Sequence, residues 1–151
     1  MAASILFSAC FFKGTNLPDL GAFQVLCGFC AVLGHTYPVF AEFKGGKGVA
    51  TLAGIMIALF PQAVPFCMAI FTVTVILTGY ISVGSIIASA FLPVILLIFP
   101  IFGFESAELS LLVFSLLVPF FVIFTHRSNI SRLRKSEENR FEKAMIFNKR
   151  A

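Results

Sequence analysis

The chain has 151 residues, 59% of them hydrophobic and 12% charged, with a formal net charge of +4 and a mean hydropathy of +1.00. Soluble domains carry roughly 45–50% apolar and about 25% charged residues, so this composition argues against a water-soluble globular domain on both counts. The apolar runs are continuous rather than alternating, which disfavours a β-barrel and leaves an all-α, polytopic transmembrane bundle.

In chain order, residues 1–12 are apolar, too short to cross a bilayer and without the basic region of a signal peptide, with 4–12 the part that would lie in the membrane. They read as the latter part of a span whose beginning is missing. Lys13-Gly14-Thr15-Asn16-Leu17-Pro18-Asp19 is a turn-rich break. Residues 20–33 form an apolar helical run that Gly34 brings to a loop. Beyond that loop, Glu105 and Glu108 are the only charges between Val49 and Phe124. Pro61 and Pro65 disfavour one continuous helix, and Pro61-Gln62 suits a turn. The spacing therefore predicts segments over 49–60, 62–79, 82–101 and 109–125. The first of these is about 18 Å long at 1.5 Å per residue, a half-helix that dips partway into the membrane.

Basic residues should mark the cytoplasmic side. Two of the eleven Lys and Arg lie in the central loop and eight between Arg127 and Arg150. Four crossings between the two regions place both on one side, together with the turn at Tyr80-Ile81-Ser82. The expectation is about six membrane segments, the first incomplete, in a domain over 1–125 with a cytoplasmic basic segment over 126–151. From Lys135 onward the tail reads as solvated or headgroup-associated, and nucleic-acid binding is disfavoured because the cations flank membrane spans. Cys27 and Cys30 form a CxxC without a second ligand pair or a redox-fold context, and read as small, buried helix residues.

The stretch that carries chemistry is residues 34–51, Gly34-His35-Thr36-Tyr37-Pro38-Val39-Phe40-Ala41-Glu42-Phe43-Lys44-Gly45-Gly46-Lys47-Gly48-Val49-Ala50-Thr51. A basic, glycine-rich loop that opens into a helix gathers cations, backbone N–H groups and a positive dipole end for an anion. With Ser82, His126, Arg127, Asn129 and Arg132 expected on the same face, the set suits phosphate or phosphoryl groups at a membrane surface. His35 and His126 alone make a poor metal site. No Ser or Thr follows the lysine of Gly-Lys-Gly, so a P-loop is excluded. The positions five residues after the two histidines are Phe40 and Ser131, which rules out a His-x4-Asp acyltransferase. Each residue also has a plainer reading: Lys44 and Lys47 as topology determinants, the histidines as interfacial caps, Ser82 as a turn residue or N-cap. Three glycines among residues 45–48 favour the anion loop, because a topology signal needs no exposed backbone.

Residues 34–40 and 43–51 closely resemble the second signature of the acyl-phosphate-dependent glycerol-3-phosphate acyltransferases, the PlsY family. His126-Arg127-x-Asn129-Ile130-x-Arg132-Leu133 is similar to that family's third signature, and Gly79-Tyr80-Ile81-Ser82 to a family turn bearing a functional serine. The resemblance implies an integral enzyme of the inner (plasma) membrane with its active site on the cytoplasmic side. It would move a fatty acyl group from acyl phosphate to the 1-hydroxyl of glycerol 3-phosphate, giving lysophosphatidic acid for phospholipid synthesis without a cofactor. Lys44, Lys47 and the amides of Gly45, Gly46 and Gly48 would hold phosphate, with His35 beside them, and Lys47 would also stabilise the oxyanion. His126 and Asn129 would position glycerol 3-phosphate, Arg127 and Arg132 would add charge, and Ser82 would hydrogen-bond substrate. The resemblance also implies a departure. Family members begin earlier, with a Gly/Ser/Asn-rich first signature that has no counterpart in these residues. The expectation is a chain short of that segment because its start is misassigned, because a separately encoded N-terminal piece completes it, or because it is an inactive, degraded copy. A non-enzymatic phosphate or anion transporter is the rival reading, weakened by the uncharged spans.

Overall fold

The computed structural model describes residues 20–39, 42–43 and 45–141. The expected incomplete first span, the break after it and Lys44 lie outside these residues. The described residues form six α-helices and no strand: α1 (Leu20–Thr36), α2 (Val49–Leu59), α3 (Val64–Thr78), α4 (Ile81–Ile98), α5 (Leu109–Thr125) and α6 (Arg127–Arg134). A 3-10 turn over Phe99–Phe102 extends α4.

Helix α1 runs past Gly34 to Thr36, so the glycine does not end it. Thr36 Oγ1 donates to the Val32 carbonyl at 2.8 Å, and the Tyr37 amide adds one more bond to Leu33. The stop comes from Pro38, which disfavours helical geometry at the residue before it. The proline break falls where the sequence places it: α2 ends at Leu59 and α3 begins at Val64 with Pro65 in its first turn. Ser82 is not a cap, because Tyr80 caps α4 and makes no side-chain cap bond.

The helices alternate in direction, which brings the α1–α2 loop, the α3–α4 turn and the end of α5 to one end of the bundle. The core joins Val32 of α1, Leu52 and Ile55 of α2, Leu92 and Leu96 of α4, and Phe114, Val118 and Val122 of α5. Helix α3 contributes little to it and packs instead on α4 through Gly84. A methyl group there would sit 2.8 Å from Val75 and 3.0 Å from Phe71, so the two backbones approach closely, as small residues allow in apolar bundles. Outward faces are apolar too: Leu77, Leu97 and Phe120 are 58%, 62% and 72% exposed. Exposed apolar surface on this scale suits lipid rather than water. Cys30 is exposed and Cys27 half-buried, both free thiols, so neither is the fully buried small residue expected.

Among the described residues one helix, Ile81–Phe102 with its 3-10 turn, is long and apolar enough to cross a membrane. Leu109–Thr125 and Arg127–Arg134 meet the same criterion only together, across a 57° bend. The remaining apolar helices are shorter than a full span. Replacing Gly84 with leucine should force α3 from α4 and cost about 1–3 kcal/mol, seen as a lowered midpoint in thermal unfolding in micelles.

Candidate active site

The loop after α1 folds back over the C-terminal end of that helix. Gly45 makes this approach possible: a Cβ there would stand 2.3 Å from the His35 carbonyl oxygen and 2.5 Å from that of Thr36. Glu42 and Phe43 take left-handed backbone angles, and the Phe43 amide donates to the Pro38 carbonyl at 3.0 Å. Gly48 then enters α2 with φ of 72°, a conformation that glycine adopts without penalty. The result delivers Lys47 across the end of the bundle to Asn129, just before α2 begins.

Lys47 Nζ donates to Asn129 Oδ1, bridging residues 82 positions apart. Asn129 is 6% exposed, on the inner side of α6. Its Nδ2 donates to Glu138 Oε1, which also accepts from Ser82 Oγ at 3.0 Å. Arg132 Nε donates to Glu138 Oε2 at 2.7 Å, an ion pair in which Glu138 is 6% exposed and Arg132 45%. One carboxylate thus holds three side chains from α4 and α6, and through Asn129 it connects to Lys47. Burial pushes the Glu138 carboxyl up, but the bonds from Asn129, Arg132 and Ser82 and the Arg132 charge outweigh it and hold it below its ordinary value of 4.5.

His126 is 3% exposed at the junction of α5 and α6, near enough to Lys47 and Glu138 to feel both charges. Its Nδ1 lies 2.8 Å from the Val122 carbonyl, with Thr125 Oγ1 at 3.4 Å. A carbonyl only accepts, so Nδ1 carries the proton in this bond, and in the neutral ring Nε2 is left as an acceptor.

As far as Phe141, the chain after α6 lies against the bundle rather than free in solvent. Ser136, at φ of 59°, turns the chain after α6. Its amide donates to the Leu133 carbonyl, and the Glu137 amide donates to that of Arg132, a Schellman turn that sends the chain back toward the bundle. Arg140 Nε donates to Tyr80 OH at 2.9 Å, and the Phe141 amide donates to the Gly79 carbonyl at 2.7 Å. These contacts seat residues 136–141 as a strap over the α3–α4 turn and carry Glu138 beneath Asn129.

Of the residues singled out from the sequence, the structure brings together Lys47, Ser82, Asn129 and Arg132, with His126 adjoining. His35 is exposed in the last turn of α1, its ring against Gly46 of the loop. Lys44 is outside the described residues. Arg127 points elsewhere: its guanidinium lies 4.6 Å from the Phe124 ring centroid, and Nη1 donates to the Phe124 carbonyl. Residues two positions apart on a helix stand roughly 200° apart, so Arg127 and Asn129 occupy opposite faces. Glu138 is the residue that the sequence reading missed. Its position in a mixed-charge tail carries no periodic signal, and six residues from Arg132 it can pair only because the chain reverses.

Cations, amide, hydroxyl and imidazole gathered at one end of an apolar bundle define an all-helical protein with a polar side-chain cluster at that end. The chain belongs to the glycerol-3-phosphate acyltransferase family, whose description matches residues 1–136. A glycerol-3-phosphate acyltransferase of Chlorobium phaeovibrioides is 40% identical over 144 residues, covering 82% of this chain and 61% of that protein. One from Streptococcus gordonii is 37% identical over 147 residues, covering 91% of this chain and 69% of its own length. The chain thus spans about three fifths to two thirds of these relatives. Among solved structures, PlsY (YgiH), an integral membrane glycerol 3-phosphate acyltransferase, in its glycerol 3-phosphate form superposes with a TM-score of 0.68 at 33% identity. That match covers 80% of this chain and 57% of PlsY. The lysophosphatidic acid form gives a TM-score of 0.67 at the same identity.

Glu138→Gln should loosen the strap, exposing residues 136–141 to limited proteolysis that the parent chain resists. Because its folded value is depressed, Glu138 contributes stability that is present above pH 4.5 and lost as pH falls through the folded value. Acid unfolding of the Gln variant should lack that component. Ser136→Gly should relieve the left-handed strain and stabilise the fold by up to about 1 kcal/mol, read as a raised unfolding midpoint.

Proposed function

We propose that this chain carries the acyl-transfer site of a membrane glycerol-3-phosphate acyltransferase that uses acyl phosphate as donor. The observation that carries the reading is the convergence of Lys47, Ser82, Asn129 and Arg132, from three separate stretches of chain, beside the free imidazole face of His126. Both substrates would bring phosphate to this place, and the donor also brings a chain suited to the apolar faces around it.

In this reading Lys47, Lys44 and the amides from Gly45, Gly46 and Gly48 into α2 bind a phosphoryl group. Lys47 and nearby amides also meet the negative charge that develops on the acyl carbonyl oxygen. Asn129 and Arg132, oriented by Glu138, and Ser82 hold glycerol 3-phosphate, while His126 Nε2 accepts a hydrogen bond from its 1-hydroxyl. That oxygen forms the new bond to the acyl carbon, and the bond from this carbon to the phosphate oxygen breaks. Released phosphate takes the hydroxyl proton in the overall balance, giving 1-acyl-glycerol 3-phosphate. No step needs a metal or redox group. Strengthening hydrogen bonds to a developing oxyanion is commonly worth a factor of about 100–1,000 in kcat per donor.

The membrane placement follows the same reasoning. The 1–125 region is the membrane-embedded domain, and the site end faces the cytoplasm because Lys47, Arg132, Arg134 and Lys135 gather there. Helix α2 is a half-helix that lines the site rather than a full crossing, and its 11 residues fit that use. The chain spans 61% and 69% of the two relatives' length, so the activity proposed is that of the whole protein.

Transfer from synthetic acyl phosphate to labelled glycerol 3-phosphate, in membranes containing the chain alone or with any encoded upstream segment, tests the proposal. Lys47→Ala should lower kcat roughly 100-fold or more, and Asn129→Ala should raise KM for glycerol 3-phosphate as well. No turnover in either form, with the protein well inserted, would overturn the reading. Phosphate flux through proteoliposomes without acyl donor would replace it with transport.

A further inference from the structure

The face of α6 turned away from the site has its own organisation. Arg127, Ile130, Ser131 and Arg134 fall at i, i+3, i+4 and i+7, a single helical stripe. Together with Ile123 and Phe124 at the end of α5 and Lys135 after α6, they line a groove of about 440 Å³. It is formed in the 57° angle between the two helices. None of Lys47, Ser82, His126, Asn129 or Glu138 lines it.

The groove is divided in character. Its α5 wall is apolar and outward-facing, with Ile123 43% and Phe124 52% exposed. Its α6 wall holds three cations, and among the described residues none of them forms an ion pair with a carboxylate. Arg127 is held in place by stacking on the Phe124 ring and by its bond to the Phe124 carbonyl, so one cation is fixed above the apolar wall rather than swinging freely in solvent. An occupant that matches has a singly charged phosphodiester at the level of α6 and a hydrocarbon chain running along α5. Inorganic phosphate would leave the apolar wall uncovered, and a zwitterionic lipid would bring a cation against three cations.

We propose that this groove is a binding site for an intact anionic phospholipid of the surrounding bilayer, separate from the acyl-transfer site. The phosphodiester is held by Arg127, Arg134 and Lys135, and one acyl chain lies on Ile123, Phe124 and Ile130. Because α6 presents Asn129 and Arg132 on its other side, a lipid seated here would brace the helix that positions those residues. The site goes beyond the proposed reaction and needs no turnover to detect.

Native mass spectrometry of the purified chain in mild detergent tests it, with phosphatidylglycerol and phosphatidylcholine of identical acyl chains as probes. Each basic residue is worth about 1 kcal/mol, a factor of roughly five, toward a net anionic headgroup, and the choline cation of phosphatidylcholine cancels much of that gain, so phosphatidylglycerol should be retained about tenfold or more over phosphatidylcholine. Arg134→Gln combined with Lys135→Gln should reduce retention to the phosphatidylcholine level. Arg134→Lys combined with Lys135→Arg should keep the preference, which shows that the loss reflects charge and not a failure to fold. Lys47→Ala should leave lipid retention unchanged even if it abolishes acyl transfer. Equal retention of the two lipids, wild-type retention in the Gln double variant, or loss of phosphatidylglycerol in Lys47→Ala would each overturn the proposal. The last result would move the lipid into the acyl-transfer site.

Discussion

The polar end of this bundle depends on a buried carboxylate. Glu138 accepts from Ser82, Asn129 and Arg132, and Asn129 then accepts from Lys47, so α4, α6 and the central loop meet through one side chain. Such a network has value only when each member is satisfied, because an unpaired buried polar group costs about 1–3 kcal/mol. Here no buried side-chain nitrogen or oxygen among the described residues is left without a partner. Two cations, Lys47 and Arg132, share this network with a single carboxylate, which leaves the locality net positive.

Delivering that carboxylate takes a sequence of backbone decisions. The Schellman turn at Ser136 reverses the chain, and the Tyr80–Arg140 and Gly79–Phe141 contacts fasten it to the α3–α4 turn. On the other side, Gly45 lets the loop lie against the end of α1, and Gly48 starts α2 at the angle that carries Lys47 inward. Both devices act where the apolar bundle ends, so the polar network does not have to be buried among hydrocarbon side chains. Within the bundle, contacts such as Gly84 against Val75 supply packing where surrounding lipid would supply no hydrophobic drive between helices.

Helix α6 divides its labour between two faces. Asn129 and Arg132 turn toward the site, while Arg127, Ile130 and Arg134 turn toward the groove. The two arginines that the sequence places in one signature thus have different surroundings. Helical spacing already contains that distinction, since Arg127 and Asn129 stand roughly 200° apart; charge alone groups them together.

Local pattern determined a good deal of this protein. Hydrophobic runs made it helical, Pro61 and Pro65 separated α2 from α3, and the glycine–lysine loop, His126 and Asn129 were placed at one end of the bundle, where the structure brings Lys47 and Asn129 into contact. These are decisions among near neighbours, governed by backbone sterics and by what can be buried. Tertiary structure decided the rest. Nothing near Ser82 in sequence indicates that it serves a carboxylate 56 residues away rather than capping its own helix. Nothing in a tail of mixed charge indicates that Glu138, and not its neighbour Glu137, will be buried. Those outcomes depend on where the chain reverses and which surfaces then meet, because a buried charge finds its partners by position in space.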